Sequence, residues 1–458
     1  MNVLPTSAER GLDPALVFDT ILFEGVSSVV VAVSGGSDSV ALLHLLVDLR
    51  AIRSELPTIV AVTVDHGLRP EAADEARYVG QLCKELGVSH RIVKWEEAKP
   101  HTGLSAKARE ARYVLLCQAA REAGADIILT GHTLDDQIET YAMREVRTDA
   151  NGSGRGLAGM APATLLQRDI WLVRPLLQQR REALRNYLRS RGIAWRDDPS
   201  NDDPKYERVR IRQALHEDQR KAIRQDLVLK TAQRLAINGR AAQLLQQSVT
   251  VCDGMLADID RRLWQGEADE QHLAIGVLLA AMGGLPFLSA ADICEKAIHL
   301  LSGGAGQRRM TLGRCVVETR REKVLICREF RSMPRMTIAP GESALWDGRW
   351  RIDNALRGEI EITAAGTTRE ASSAGEDQAA LHHGAFRTSP CILVNGEPIC
   401  VGSRGDHTKL PEGISLVRHL ALFDQVLSGY DLGLAGTVAE LFSLPPYKRS
   451  PVNQINKN

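Results

Sequence analysis

Val29-Val30-Val31-Ala32-Val33-Ser34-Gly35-Gly36-Ser37-Asp38-Ser39-Val40-Ala41-Leu42-Leu43-His44-Leu45-Leu46 decides the fold. The run of β-branched and small apolar residues predicts a strand buried on both faces, and the apolar spacing after Ser39 predicts a helix packed against it. Between them, Gly35 and Gly36 let the backbone turn tightly and approach a ligand. Ser34, Ser37 and Ser39 add hydroxyls, and the amides at the helix start point outward to meet an anion. The loop reads as a phosphate cradle. It lacks the lysine of the GxxxxGK[ST] loop and carries Asp38 instead, a carboxylate that would repel phosphate unless Mg²⁺ sat between them.

Working outward, Thr58 to Val64 predicts a second strand, ending in Asp65-His66-Gly67-Leu68-Arg69. Pro70 opens a helix to about Leu86, Ser89 to Trp95 is a strand, Ser105 to Ala123 a long helix, and Asp126 to Thr130 another buried strand. Asp13 to Phe23 reads as a short amphipathic helix ahead of them. Strands alternating with helices of this length mean an α/β fold with a doubly wound parallel sheet, whose ligands gather at the carboxyl ends of the strands. The loops after Val33, Val64 and Thr130 should therefore share one crevice.

The third of those loops reads Gly131-His132-Thr133-Leu134-Asp135-Asp136-Gln137-Ile138-Glu139-Thr140. A helix beginning near Leu134 gathers Asp135, Asp136 and Glu139 within one turn as an acidic patch. Such a patch holds Mg²⁺, grips a cationic substrate, or takes a proton from an attacking amine. Helix capping explains one of the three acids by itself. His66 and His132 each end a strand in the crevice, where they serve either as structural histidines or as nucleotide contacts. On the long helix, Arg109, Arg112 and Tyr113 share a face.

The chain has 458 residues, enough for roughly three domains, and 44% of them are hydrophobic, so sizeable cores are available. Lys plus Arg and Asp plus Glu each number 57, so no global field draws a polyanion. Residues 171 to 240 break that neutrality, with 17 Arg or Lys against 9 Asp or Glu, a net of +8. This stretch, with Arg174, Arg180, Arg181, Arg185, Arg189, Arg191, Arg208, Arg210 and Arg212, is the candidate surface for an RNA backbone. The eight cysteines are dispersed without a CxxC, which argues against a zinc knuckle and a disulfide framework and fits a reducing cytoplasm. The start carries no secretory signal, and the uncharged run His272 to Ala291, broken by Gly283-Gly284 and Pro286, reads as core rather than membrane.

Ser34 to Ser39 after a hydrophobic strand resembles the SGGxDS loop of the PP-loop ATP pyrophosphatases, which is Rossmann-like. Further motifs narrow the likeness: Asp65 to Arg69, Ala108-Arg109-Glu110-Ala111-Arg112-Tyr113, Gly131 to Thr140, Gly152 to Met160, Val173-Arg174-Pro175-Leu176-Leu177, Trp195 to Asn201, and Arg208-Val209-Arg210-Ile211-Arg212. In this order they resemble the tRNA(Ile)-lysidine synthetase family over about residues 25 to 215. Thr133 departs from the pattern, since many relatives carry a second histidine there. An insertion at Thr148 to Asn151 departs as well.

That resemblance implies ATP-dependent ligation of L-lysine to C2 of the wobble cytidine of a minor tRNA(Ile) with a CAU anticodon, through an adenylated cytidine, releasing pyrophosphate and AMP. It implies catalytic roles for Asp38, Arg112, His132, Asp135 and Asp136, and ATP binding by Ser34, Gly35, Gly36, Ser37, Asp38, Ser39 and His66. Lysine would be held by Asp135, Asp136 and Glu139, and tRNA by Arg174, Arg208, Arg210 and Arg212. Asp38 would hold Mg²⁺, and relatives suggest a homodimer. Which acid binds the ammonium and which accepts its proton stays open. Gly152 to Gly156 would be a flexible flap over the RNA.

Three parts are expected: a PP-loop catalytic domain over 1–215, a mainly helical domain over 216–335, and a β-rich domain over 336–458 with tRNA contacts. Helical periodicity runs from about Gln213 to His299, interrupted at Asn238-Gly239. Cys315 to Thr319 with Lys323 to Cys327 reads as a hairpin, as does the stretch around Trp346-Asp347-Gly348-Arg349-Trp350. Ala364 to Ala380 reads as a mobile loop, His382, His383 and Cys391 as surface residues rather than a metal site, and Lys448 to Asn458 as a frayed tail. Two rival functions are a PP-loop tRNA thiolase, which needs cysteines near the site, and a tRNA-binding protein with a decayed nucleotide site.

Overall fold

A computed structural model of the chain describes residues 12–453 apart from 54, 68–71, 101, 149–153, 198–202, 265–268, 304–307, 368–383 and 401–409. The loop at 364–380, His382 and His383, and parts of the motifs at 65–69, 152–160 and 195–201 thus fall wholly or partly outside the described residues. The chain divides into two compact units: one runs to Arg234 and includes Ser428–Tyr430 and the segment from Lys448, the other holds Leu235–Leu427 and Asp431–Tyr447.

The first unit runs α1 (Pro14–Val17), β1 (Ser28–Ala32), α2 (Ser37–Ile52), β2 (Thr58–Asp65), α3 (Ala72–Glu85), β3 (Ser89–Lys94), α4 (Leu104–Glu122), β4 (Ile127–Leu129) and α5 (Leu134–Thr148). It continues through β5 (Ala163–Leu166), β6 (Ile170–Val173), α6 (Arg181–Ser190), α7 (Glu207–Ala214) and α8 (Glu217–Ser248), the last crossing the division between the units. β1 is buried at every position, as its β-branched run requires. It pairs in parallel with β2 on one side and β4 on the other, within the order β5-β6-β4-β1-β2-β3, where β5 runs antiparallel to β6. Strand order reverses at β1 and β4, so the loops at their carboxyl ends flank the crevice where such sheets bind ligands. α4 closes one face, setting Leu116, Cys117 and Ala120 against Val30, Val60 and Ile128.

The second unit contains β7 (Val249–Cys252), β8 (Leu256–Asp260), α9 (Asp269–Gly283), α10 (Ala291–Ser302), β9 (Arg309–Leu312), β10 (Cys315–Thr319) and β11 (Lys323–Arg328). β12 (Met336–Ile338), β13 (Ser343–Trp346), β14 (Trp350–Asn354), β15 (Ile360–Ala364), β16 (Pro390–Val394), β17 (Glu397–Cys400), β18 (Ile414–Arg418) and α11 (Leu432–Leu441) follow. Its antiparallel sheets run β7-β8-β11-β10-β9, β12-β15-β16-β17 and β13-β14-β18. One core joins Met255, Leu256, Val316 and Leu325 to Trp346, Ile360 and Ile392. α9, drawn from the uncharged run, is buried along nearly all its length, and no helix among the described residues is long and apolar enough to cross a membrane.

Several expectations need correcting. The first helix stops at Val17, and Ile21 instead bridges to Val452, while Leu22 N–H donates to Pro451 O at 2.8 Å. The end of the chain to Asn453 is accordingly docked rather than frayed, and Lys448 pairs with Asp126 at 2.8 Å. Asn238-Gly239 does not interrupt α8, because Asn238 is buried and donates to Asp431 at 2.8 Å. The stretch read as helical from Gln213 to His299 also holds the β7–β8 hairpin, turned at Asp253 and Gly254, both of positive φ. Cys391 and Cys400 face each other in the β16–β17 register and are joined as a disulfide, against the expectation of cysteines too scattered to pair.

Candidate active site

Three helix N-termini converge on the crevice. α2 starts at Ser37 with Gly36 as its N-cap, and no side chain caps it, so its first amides keep the donors that an anion would meet. Gly35 has φ 89°, a conformation costly for other residues. Gly131, in the loop after β4, stands so close that a Cβ there would lie 3.0 Å from the backbone of Asp38 and Ser39. Within the cradle, Ser39 Oγ receives the Ser34 amide at 3.1 Å, lies 3.2 Å from Ser34 Oγ and donates to Gly36 O. Ser37 Oγ donates to Asp38 Oδ1 at 3.1 Å. From outside, Arg196 N–H donates to Gly35 O at 2.9 Å and holds the turn.

α5 supplies the acids, and its geometry separates them. Thr133, fully buried, accepts the Asp136 amide with its hydroxyl at 3.4 Å, while Asp136 Oδ2 accepts the Thr133 amide at 2.6 Å and its hydroxyl at 2.8 Å. This reciprocal capping box gives Thr133 a structural role. It leaves Asp136 Oδ1 free to face Arg181 at 2.9 Å and Arg208 at 2.7 Å. Asp135 points elsewhere: its Oδ2 accepts the first amide of α6, that of Arg181, at 2.7 Å, and its Oδ1 lies 3.4 Å from Arg180 and 3.6 Å from Arg220. Glu139 has no exposed side-chain surface and is gripped by Arg208 at 2.6 Å, Arg212 at 2.7 Å and Arg181 at 3.4 Å. Burial alone would lift its pKa, but the Arg212 hydrogen bond and the Arg208 and Arg181 charges outweigh it and hold the carboxylate ionised.

Arg181, counted in the sequence among the residues of the candidate RNA surface, bridges the cradle and the acids, with Nε on Asp38 Oδ2 at 3.0 Å. Burial raises the pKa of Asp38 and Arg181 only partly reverses that. Asp38 and Asp136 thus lie within reach of a single cation. Two carboxylates beside a phosphate cradle are the donor set that Mg²⁺ uses, the nucleotide phosphates completing its shell. The residues fit the metal.

The opposite wall is cationic. Arg112 makes no ion pair among the described residues and lowers the pKa of His66, whose ring is chiefly depressed by burial. His66 Nδ1 is buried without a partner, and the ring meets Trp95 edge-on. His132 Nδ1 lies 3.0 Å from Thr130 Oγ1, which is 3.4 Å from Val173 O. Burial first, then Arg174, Arg112, Arg109 and Arg208, keep the imidazole neutral. Arg109 is exposed, and its guanidinium lies 5.5 Å from the centroid of the Tyr113 ring.

The four arginines expected to meet tRNA are dispersed. Arg174 is buried and donates to Ala161 O and Thr164 Oγ1. Arg208 and Arg212, one turn apart on α7, face Glu139. Arg210 lies on the exposed side and donates to the Pro204 and Lys205 carbonyls. Of the expected flap, Gly152 to Gly156, the described residues Gly154 to Gly156 open a 3₁₀ turn, Gly154–Ala158, and Arg144 holds Gly156 O at 2.6 Å.

Residues 14–219 match the family model of a PP-loop domain. The chain is 38% identical to the tRNA(Ile)-lysidine synthases of Brucella ovis, Brucella canis and Brucella abortus, over 93% of its own length and 97% of theirs. It belongs to the tRNA(Ile)-lysidine synthase family. Among solved structures, the U34-tRNA thiolase NcsA of Methanococcus maripaludis with its [4Fe-4S] cluster aligns at a TM-score of 0.38 and 18% identity, over 48% of this chain and 78% of that one. For a tRNA(Ile)-lysidine synthase the placement of the thiols is unsurprising. Cys83 and Cys117 are fully buried, and burial pushes them up to about 11 and about 12. Native alkylation followed by peptide mass analysis should modify Cys252, the exposed free cysteine, and spare Cys83, Cys117, Cys294, Cys315 and Cys327 until denaturant is added.

Proposed function

We propose that this chain joins the ε-amine of free L-lysine to C2 of the wobble cytidine in a tRNA(Ile) bearing a CAU anticodon. The C2 oxygen attacks the α-phosphorus of ATP, the bond to the β-phosphate breaks, and pyrophosphate leaves. The lysine amine then attacks C2, and the oxygen departs with AMP. The observation that carries this reading is the meeting of a serine-lined cradle and a cation-binding acid pocket at one reversal of strand order.

In this reading Ser34, Gly35, Gly36, Ser37 and Ser39 hold the outer phosphates with the α2 amides, and Arg112 neutralises the α-phosphate. His66 and His132 contact the nucleotide as neutral rings. Mg²⁺, held by Asp38 with Asp136 alongside, supplies charge neutralisation on the phosphates. Asp136 and Glu139 grip the lysine ammonium, while Asp135 holds the α6 N-terminus in place. A free lysine amine, with pKa about 10.4, must lose a proton before it attacks, and the carboxylates around it are the acceptors within reach. Exposed Lys205, Arg210, Lys221 and Arg224 are among the cations that meet RNA phosphates. Residues 1–215 form the catalytic domain, and 336–458 bring further tRNA contacts. A cytoplasmic homodimer completes the proposal.

Incubation with Mg²⁺, ATP and tRNA(Ile), plus either lysine or a sulfur donor, tests it directly. Pyrophosphate release and a gain of one lysine residue at the wobble cytidine are expected. Sulfur incorporation, or lysine transfer to tRNAs without a CAU anticodon, would sink the reading.

A further inference from the structure

Arg181 touches both halves of the crevice. Its Nε donates to Asp38 Oδ2 at 3.0 Å, Nη2 to Asp136 Oδ1 at 2.9 Å and Nη1 to Glu139 Oε1 at 3.4 Å, while its own amide is fastened to Asp135 Oδ2 at 2.7 Å. Arg208 and Arg212 reach Glu139, and Arg208 also Asp136, while Asp38 is paired with Arg181. The side chain is 18% exposed, so this one guanidinium is largely sealed among three carboxylates. An incoming metal would find Asp38 already engaged, and an incoming ammonium would find the same of Asp136 and Glu139. Two cations have to enter a place where Arg181 spans all three acids while Arg208 and Arg212 hold part of Asp136 and Glu139.

Resting on the functional reading above, we propose that Arg181 is a placeholder cation that couples the two substrate sites: its release from Asp38 on arrival of the metal nucleotide opens Asp136 and Glu139 to lysine. The backbone at Arg181 stays pinned by Asp135, so the exchange is a swing of the side chain alone. Its new partners are the nucleotide phosphates, which accept the guanidinium in a bidentate fashion. The charge balance closes, because the phosphates take the arginine and the vacated acids take the ammonium. Nucleotide therefore binds before lysine. The coupling is reciprocal, since each ligand must strengthen the other by the same factor.

Calorimetry on the full chain reads this without turnover. Lysine should bind about tenfold more tightly in the presence of Mg²⁺ and an α,β-non-hydrolysable ATP analogue than alone, and the analogue should gain equally from lysine. In Arg181→Gln the free chain should bind lysine about tenfold more tightly than wild type, with the coupling falling to within about twofold of unity. Arg181→Lys, which keeps one charge but cannot span three acids, should show reduced coupling and decides the matter if the glutamine variant fails to fold. Equal lysine affinity with and without the analogue in wild type, or coupling undiminished in the lysine variant, would overturn the proposal. Mg²⁺ titrated without nucleotide or lysine, where no phosphate can take the guanidinium, separates this proposal from the functional reading. Tighter Mg²⁺ binding by Arg181→Gln than by wild type supports the placeholder even if lysine never binds, an outcome that would overturn the lysine assignment instead.

Discussion

Asp38→Asn should lower pyrophosphate release at least about 10³-fold while leaving tRNA affinity within about twofold of wild type. The amide keeps the size of the carboxylate and can still accept from Ser37, so the cradle formed by Ser34, Ser39 and Gly36 stays in place. What disappears is the negative charge beside the α2 N-terminus. Without it no metal is drawn between the protein and the outer phosphates, and the charge that builds on the leaving pyrophosphate goes uncompensated. Arg181 loses one partner but retains Asp136 and Glu139, so it stays seated and the acid pocket persists. The cations proposed to meet tRNA are other residues, Lys205, Arg210, Lys221 and Arg224, which separates the two readouts. Pyrophosphate release measured beside a filter-binding titration of tRNA(Ile) decides it, and normal turnover by the variant would remove the metal role from Asp38.

The sheet was legible because its signal is local. A β-branched run bounded by glycine and serine specifies a buried strand and the turn after it, and β1 and α2 form where that pattern puts them. The acids were legible as a cluster for the same reason, since one helical turn brings Asp135, Asp136 and Glu139 together. Their division of labour was not. Asp135 and Asp136 are neighbours in sequence, and only the docking of the α6 N-terminus turns one toward a backbone amide and the other toward the crevice. The pairing of the arginines was hidden for a related reason. Composition counts charge but cannot pair it, so Arg208 and Arg212 looked like an RNA face although α7 aims both at Glu139 across some seventy positions of chain.

Two hairpins had local signals that the wider pattern concealed. Asp253-Gly254 and Asn395-Gly396 both turn with positive φ at each residue, the conformation that favours these pairs in two-residue hairpins. The first was submerged in a long stretch of helical periodicity. The second sits midway between Cys391 and Cys400, so a hairpin read there would have set the two cysteines opposite each other. Thr133 is a different kind of miss. As an isolated departure from the family pattern it signified nothing, and its value as the N-cap of α5 depends on Asp136 turning back toward it.

Glu139→Gln should raise the Michaelis constant for lysine about 10²-fold and destabilise the first unit by about 3 kcal/mol. The two effects share one cause. Glu139 is sealed from solvent, and its charge balances Arg208, Arg212 and part of Arg181; a neutral amide leaves those guanidinium groups facing one another across a buried gap. The cost is held toward the low end of that for broken buried pairs, because Arg208 and Arg212 keep some contact with water and the amide oxygen still accepts one hydrogen bond. The same residue sets an acid limit. Its folded-state pKa lies below the usual glutamate value of 4.5, so its contribution to stability is fully present above that value and is lost as pH falls through the lower, folded one. Urea titrations at pH 7 and at successively lower pH should therefore show wild type and Glu139→Gln converging in acid. A gap that stays constant to the lowest pH would mean that the carboxylate charge does not hold this pocket together.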